Sequence, residues 1–387
     1  MPEPIYLDHA ATTPVRKEVR EAMEPFYGPR FGNPSSTHRW GREARAALDE
    51  ARERVARCIG AQPDEVLFTS GGTEADNLAI LGAFRALSPK GKRAAVTTPI
   101  EHKAVLASVH HVAQEGGIER IVTVNNDGVV DRASFDDAVR DDVAIVSIMW
   151  VNNELGTMQD IPALAAAAKA KGALFHTDGV QAFGKVKVDA RTQPFDYFAF
   201  SGHKIGAPKG IGALYVRRGS PLEPLVYGGS QNRGQRPGTE NVAASVGFAR
   251  AAELALAEMD AEMARLAGLR DKLQALLVER IPDAVVNGAG APRAAHILNI
   301  SVPGTDSESL LMALDLSGIA CSSGSACTSG SVDPSHVLCA IHAPHDVAVA
   351  AVRMSLGALT TPEAVERVAQ LFPNLVAKAR RLSAAAS

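Results

Sequence analysis

Leu67-Phe68-Thr69-Ser70-Gly71-Gly72-Thr73-Glu74 runs from an apolar segment through two glycines into a helical pattern. A strand ending this way leaves backbone N–H groups and a hydroxyl free at the amino end of the next helix, which is how proteins cradle a phosphate. A tight turn with Thr73 as N-cap would use the same residues, so the stretch alone does not decide between the two. Outward from it the rhythm repeats. Short apolar runs at Glu65–Thr69, Ala94–Thr97, Ile121–Val124, Ala144–Trp150, Leu174–Thr177, Asp196–Phe200 and Gly212–Val216 alternate with helical segments at Ala75–Leu87, His102–Glu115 and Ile161–Lys171. That alternation predicts an open α/β fold with a mainly parallel sheet. The runs are apolar on both faces, so helices should cover the sheet on both sides.

After Gly238-Thr239-Glu240-Asn241, a stretch rich in Ala, Leu, Glu and Arg continues to about Glu279 without a proline and reads as one long connecting helix. Beyond it, strands at Ile297–Val302, Ile319–Cys321 and Ala351–Ser355, separated by helices, predict a smaller α+β unit. A chain of 387 residues exceeds one compact core. Two domains are expected: residues 15–259, and residues 1–14 with 260–387. The alanine-rich final residues are expected to fray.

With 40 basic against 43 acidic side chains, the net charge of -3 gives no electrostatic case for direct binding of nucleic acid or an anionic membrane. No stretch has the ~18 uninterrupted apolar residues that span a bilayer. The amino terminus also lacks a basic region followed by an apolar one. A cytoplasmic protein acting on small polar metabolites is expected. The four cysteines, Cys58, Cys321, Cys327 and Cys339, include no Cys-x-x-Cys pair, so neither a disulfide framework nor a metal site is expected.

Ligands of an open α/β sheet bind beyond the carboxyl ends of its strands. Glu101-His102 and Asn152-Asn153-Glu154 each follow a predicted strand there. Asp178 ends another, where it is either a helix N-cap or the carboxylate that a protonated pyridine nitrogen requires. Ser201-Gly202-His203-Lys204 leads from a strand into a glycine-rich loop, with no helix to carry Lys204 to solvent. Desolvation would lower the pKa of such a lysine and leave its amine nucleophilic, as condensation with a cofactor aldehyde demands. Lys209 competes, but Pro208 and Gly210 mark it as a residue of an exposed turn. Phosphate cradle, aspartate and lysine together are the parts of a pyridoxal 5'-phosphate site.

Two features lie in the second unit. Cys321-Ser-Ser-Gly-Ser-Ala-Cys327-Thr-Ser-Gly-Ser331 is built of small and hydroxyl residues that bury no core, so Cys327 should be an accessible thiol on a mobile loop, about residues 321–334. A free thiol without a role is the plainer reading. Arg353 stands inside an apolar strand and needs an anion: either a substrate carboxylate or an internal salt bridge.

These residues belong to longer motifs: Tyr6-Leu-Asp-His-Ala-Ala-Thr-Thr-Pro14, Phe31-Gly-Asn-Pro-Ser35, Thr69-Ser-Gly-Gly-Thr-Glu-Ala-Asp-Asn77, Val151-Asn-Asn-Glu-Leu-Gly156, Ser201-Gly-His-Lys204, Arg236-Pro-Gly-Thr-Glu-Asn241 and Ser322-Ser-Gly-Ser-Ala-Cys327. In this order, nearly end to end, the chain resembles the cysteine desulfurases of the NifS/IscS type. These are pyridoxal-phosphate-dependent class V aminotransferase relatives with the aspartate-aminotransferase-like fold (fold type I).

The resemblance implies that Lys204 bonds the cofactor aldehyde, Asp178 pairs with the ring nitrogen, and His102 stacks on the ring and shuttles protons. Gln181 and Asn153 would contact the oxygen side of the ring. Gly72, Thr73, Ser201 and His203 would hold the phosphate, joined by Thr239 from a second subunit, so a homodimer is expected. Arg353 and Asn33, with Asn153, would bind the substrate. L-cysteine would yield L-alanine, its sulfur passing to Cys327 as a persulfide and then to an acceptor protein, an iron–sulfur scaffold or a thiolation enzyme. With the sequence ending at Ala384-Ala-Ala-Ser387, the longer tail that some members of the family use to dock a scaffold is not expected, and neither is docking by that route. A selenocysteine lyase on the same fold and a non-catalytic metal or sulfur carrier are the alternative readings.

Overall fold

A computed structural model describes residues 3–323 and 334–386. Its main sheet has seven strands, in the spatial order Val66–Thr69, Gly212–Val216, Tyr197–Ser201, Leu174–Asp178, Val143–Ser147, Ala94–Thr97, Ile118–Ile121. The last five run parallel, and Gly212–Val216 is antiparallel to both of its neighbours. The fold class read from the sequence is therefore correct. Alternate residues feed two cores: Phe198 and Phe200 pack into a cluster with Phe183 and Phe248, while Tyr197 and Ala199 face the helices Gly72–Leu87 and Lys103–Gln114. Both faces are covered, as strands buried on two sides require.

One strand is misplaced by the sequence reading. The apolar run Ile121–Val124 is not a strand; the sheet edge is Ile118–Ile121, whose side chains are half-buried or exposed. An edge strand has one neighbour and little cover, so Glu119 and Arg120 are tolerated there and the apolar signal is displaced. Val122 and Val124 are buried all the same, Val122 in the main core and Val124 in a cluster with Val337 and Leu338.

The parallel arrangement brings Asp178 and Ser201 to one edge, together with the loops after Thr97 and Ser147. Thr69 and Ser201 flank Gly212 at that edge. A Cβ on Gly212 would stand 2.7 Å from both Gly71 Cα and Phe200 O, so only glycine lets the Gly71 turn close over the sheet.

The connecting helix runs over Val242–Arg280, with the Asn241 side chain accepting from Ala244 N–H at 3.0 Å. A second core joins Ile5 and Leu7 to Leu266, Leu273, Leu298, Val352 and Phe372. It lies on an antiparallel sheet with Ile297–Ser301 between Ala351–Ser355 and Val285–Val286. Ile5–Tyr6 pairs in parallel with Ile319–Ala320. The terminal helix extends over Pro362–Ala386. Among the described residues, no helix is long and apolar enough to cross a membrane.

Candidate active site

The helix Gly72–Leu87 begins without a side-chain cap, so Thr73 is not the N-cap and the first N–H groups are left to the cavity. Beside them Ser201 Oγ is buried with no hydrogen-bond partner. His203 Nδ1 lies 3.2 Å from Thr12 Oγ1. Burial, then the neighbouring Lys204, lowers the pKa of His203 to about 4. Its imidazole is therefore neutral at physiological pH.

Lys204 closes a single turn of 3-10 helix, Gly202–Lys204, a short helix where an open loop is expected from the sequence. Its Nζ donates to Ala10 O at 2.6 Å and Ala11 O at 2.8 Å. Carbonyl dipoles hold the amine without a full counter-charge. Burial first, and Arg353 next, lower its pKa to about 8, against the opposing pull of Asp178 and Asp8. Lys209 is exposed in its turn, as its neighbours predict.

Asp178 is 5% exposed at the end of its strand, and a carboxylate oxygen accepts from Val180 N–H at 2.9 Å. Burial raises its pKa, while His102, the Val180 N–H and Lys204 act the other way. His102 caps the helix Lys103–Gln114, its Nδ1 accepting from Ala104 N–H at 3.1 Å. In the neutral ring that bond assigns the proton to Nε2. Asp76, His102 and Asp178 have polar atoms within 4.8 Å of one another. At an effective dielectric of about 20, two carboxylate charges at that separation repel by roughly 3 kcal/mol, so a single charge is favoured there.

Arg353, 4% exposed, lines the same cavity from the strand Ala351–Ser355. One of its terminal nitrogens is 2.9 Å from Asp8 Oδ1, the other donates to Asn153 O at 2.8 Å, and Nε has no partner. Of the two sequence readings, the internal salt bridge is present. Backbone pairing of Arg353 with Ser322 anchors one side of the cysteine segment. On its other side the Ser335 hydroxyl donates to Glu154, and His336 Nε2 lies 3.0 Å from Glu101 O. Cys327 itself lies outside the described residues, with most of the predicted 321–334 loop.

Gly72, Thr73, His102, Asn153, Asp178, Gln181, Ser201, His203, Lys204 and Arg353 all line one cavity of about 360 Å³. Gln181 is held between Ala10 O, to which it donates at 2.9 Å, and His296 Nε2 at 3.2 Å. Asn33 and Thr239 are exposed and are not among the lining residues. Cys58 packs partly buried against the main core, its thiol pushed up to about 11 by burial. Asp76 also lines the cavity and was not singled out from the sequence. The signal for its surroundings was there, because His176 and Asp178, two apart in an apolar strand, must project from one face.

The aminotransferase class-V family model matches residues 5–368. The chain belongs to the class-V aminotransferases, in their NifS/IscS group. It is 45% identical over 383 residues to cysteine desulfurase IscS of Dictyoglomus turgidum, covering 99% of this chain and 97% of that one. To cysteine desulfurase NifS of Azotobacter vinelandii it is 44% identical over 380 residues, covering 98% and 94%. Among solved structures, a NifS-like protein superposes with a TM-score of 0.90 at 35% identity, covering 97% of this chain and 99% of that one. SspA in complex with cysteine gives 0.78 at 34% identity, covering 91% and 98%.

Class-V aminotransferases are in general pyridoxal-phosphate enzymes, and the cavity fits that group. It offers an uncapped helix start beside an orphaned serine hydroxyl for a phosphate, a buried carboxylate for a ring nitrogen, and a lysine amine of lowered pKa for an aldehyde.

Proposed function

We propose that this class-V aminotransferase is a cysteine desulfurase that converts L-cysteine to L-alanine and passes the sulfur to Cys327 as a persulfide. The observation that carries the reading is Lys204: an enclosed amine held by two carbonyls, in one cavity with Asp178, Ser201 and Arg353. Gly72, Thr73, Ser201 and His203 would hold the phosphate of pyridoxal phosphate, Asp178 its ring nitrogen and Lys204 its aldehyde carbon. When bound, that group supplies the electron sink that lets an amino acid lose its α-proton.

The chain's own residues do the rest. Arg353 binds the cysteine carboxylate through the terminal nitrogen it shares with Asp8. Lys204, with its pKa lowered to about 8, takes up and returns the α-proton, because an amine close to its pKa serves as both base and acid. His102, with its proton on Nε2, carries a proton at the outer face. Cys327 attacks the substrate sulfur as a thiolate: the sulfur–sulfur bond forms as the carbon–sulfur bond breaks, the bond pair stays with the β-carbon, which takes a proton to become the methyl of alanine, and alanine leaves before the acceptor arrives. Asn153 and Gln181 bound the ring's oxygen side.

Residues 15–259 would form the cofactor-binding unit, with residues 1–14 and 260–387 supplying Arg353 and the cysteine segment. Thr239 and Asn33, outside this chain's cavity, would serve the site of a second copy in a cytoplasmic homodimer. The sulfur acceptor would be an iron–sulfur scaffold or a thiolation enzyme. Incubation with cysteine and pyridoxal phosphate should release alanine and add the mass of one or more sulfur atoms to the peptide containing Cys327. Alanine production at the parental rate by Cys327→Ser would exclude Cys327 as the sulfur acceptor.

A further inference from the structure

Asp76 is a buried acid of the cavity that the proposed reaction leaves without a task. It lies in the first turns of the helix Gly72–Leu87, is 1% exposed, and its Oδ1 has no hydrogen-bond partner. Nε2 of His176, fully buried and equally unpartnered, stands 3.5 Å from it. The other ring nitrogen of His176 is taken by Ser147 Oγ at 2.8 Å. An acid and a base facing each other, both buried and both unsatisfied, call for one proton between them.

Where that proton sits follows from the neighbours. Asp178 and His176 face Asp76 from the strand Leu174–Asp178, and Glu101 and His102 from the loop after Thr97. Glu101 accepts from Thr98 Oγ1 at 2.6 Å and from Met149 N–H at 2.9 Å, and burial raises its pKa to about 8. An ionised Asp76 would add a second carboxylate charge beside Asp178. Burial, then Asp178 and Glu101, push the Asp76 pKa well up, while burial drives His176 down to about 3. Asp178, by contrast, has His102, Lys204 and the Val180 N–H to hold a charge.

We propose that Asp76 is a neutral carboxylic acid whose hydroxyl is aimed at His176 Nε2, and that it is a positioning residue which leaves Asp178 as the carboxylate charge facing the pyridine nitrogen. The inference rests on the cofactor reading above.

The test uses the protein reconstituted with pyridoxal phosphate and two variants, Asp76→Asn and Asp76→Leu. An amide donates as a protonated acid does. Asp76→Asn should therefore keep the cofactor dissociation constant within about twofold of the parent, and keep the pH midpoint of the visible absorption band. Asp76→Leu leaves His176 without its donor and should weaken cofactor binding about tenfold and move that midpoint. The proposal is overturned if Asn moves the midpoint as far as Leu does, or if Leu changes neither quantity. Should the Leu variant not fold, the infrared difference between parent and Asp76→Asn decides: a protonated-carboxyl band at neutral pH is expected, and its absence overturns the proposal. That band is also read on the cofactor-free protein. A parent that takes up no pyridoxal phosphate would therefore defeat the cofactor reading alone.

Discussion

On the wall formed by the sheet edge, Ser201 Oγ is buried without a partner and the helix Gly72–Leu87 starts uncapped. On the wall formed by the strand Ala351–Ser355, Arg353 already holds Asp8 and the Asn153 carbonyl. Buried polar groups without partners are costly, so the first wall is stabilised by whatever supplies the missing acceptors. At Arg353 both terminal nitrogens already have acceptors, and a ligand there shares or displaces an internal carboxylate. The difference teaches that one wall suits a resident group and the other a visitor that comes and goes.

That contrast can be broken by substitution. Lys204→Ala should have the largest effect, lowering alanine formation on the order of a thousandfold or more, because the proton carrier and the anchor are lost together. Arg353→Lys should raise KM for cysteine roughly thirtyfold with little loss of bound cofactor, since an ammonium cannot reproduce the planar fork. A comparable loss of cofactor in that variant would erase the distinction between the walls. Ser201→Ala should do the reverse, weakening cofactor affinity about fivefold while leaving KM for cysteine nearly unchanged.

The smallest effect is a matter of pH. In the cofactor-free protein, the labelling rate of Lys204 by an amine reagent should rise with a midpoint near 8. The stability consequence has a definite sign. Between pH about 8 and about 10.4, the unfolded chain binds a proton that the folded one has released, so this group makes the cofactor-free fold more stable as pH rises through that window. Lys204→Met should flatten that rise, as read by melting temperature against pH.

Much of this was legible in the sequence because strand-end chemistry is local. Asp178 and Ser201-Gly-His-Lys204 lie directly beyond apolar runs, and a parallel sheet must bring such ends to one edge. The partner of Arg353 was not legible: Asp8 is 345 residues away and arrives through the pairing of Ile5–Tyr6 with Ile319–Ala320. Asp76 was hidden differently, since an acid near a helix start reads as a complement to the helix dipole. Only the fold shows it turned inward. The edge strand was shifted because its polar residues face solvent, where the apolar rhythm carries no information.

The helix Val242–Arg280 is about 58 Å long, with Val242–Ala252 fixed in the main core and Leu266, Leu273 and Leu277 in the second. It behaves as a splined shaft joining two gears. Removing a single residue from its middle would turn one end against the other by about 100°. Such a deletion, far from every catalytic atom, should uncouple Arg353 from Lys204 as thoroughly as a change at either residue.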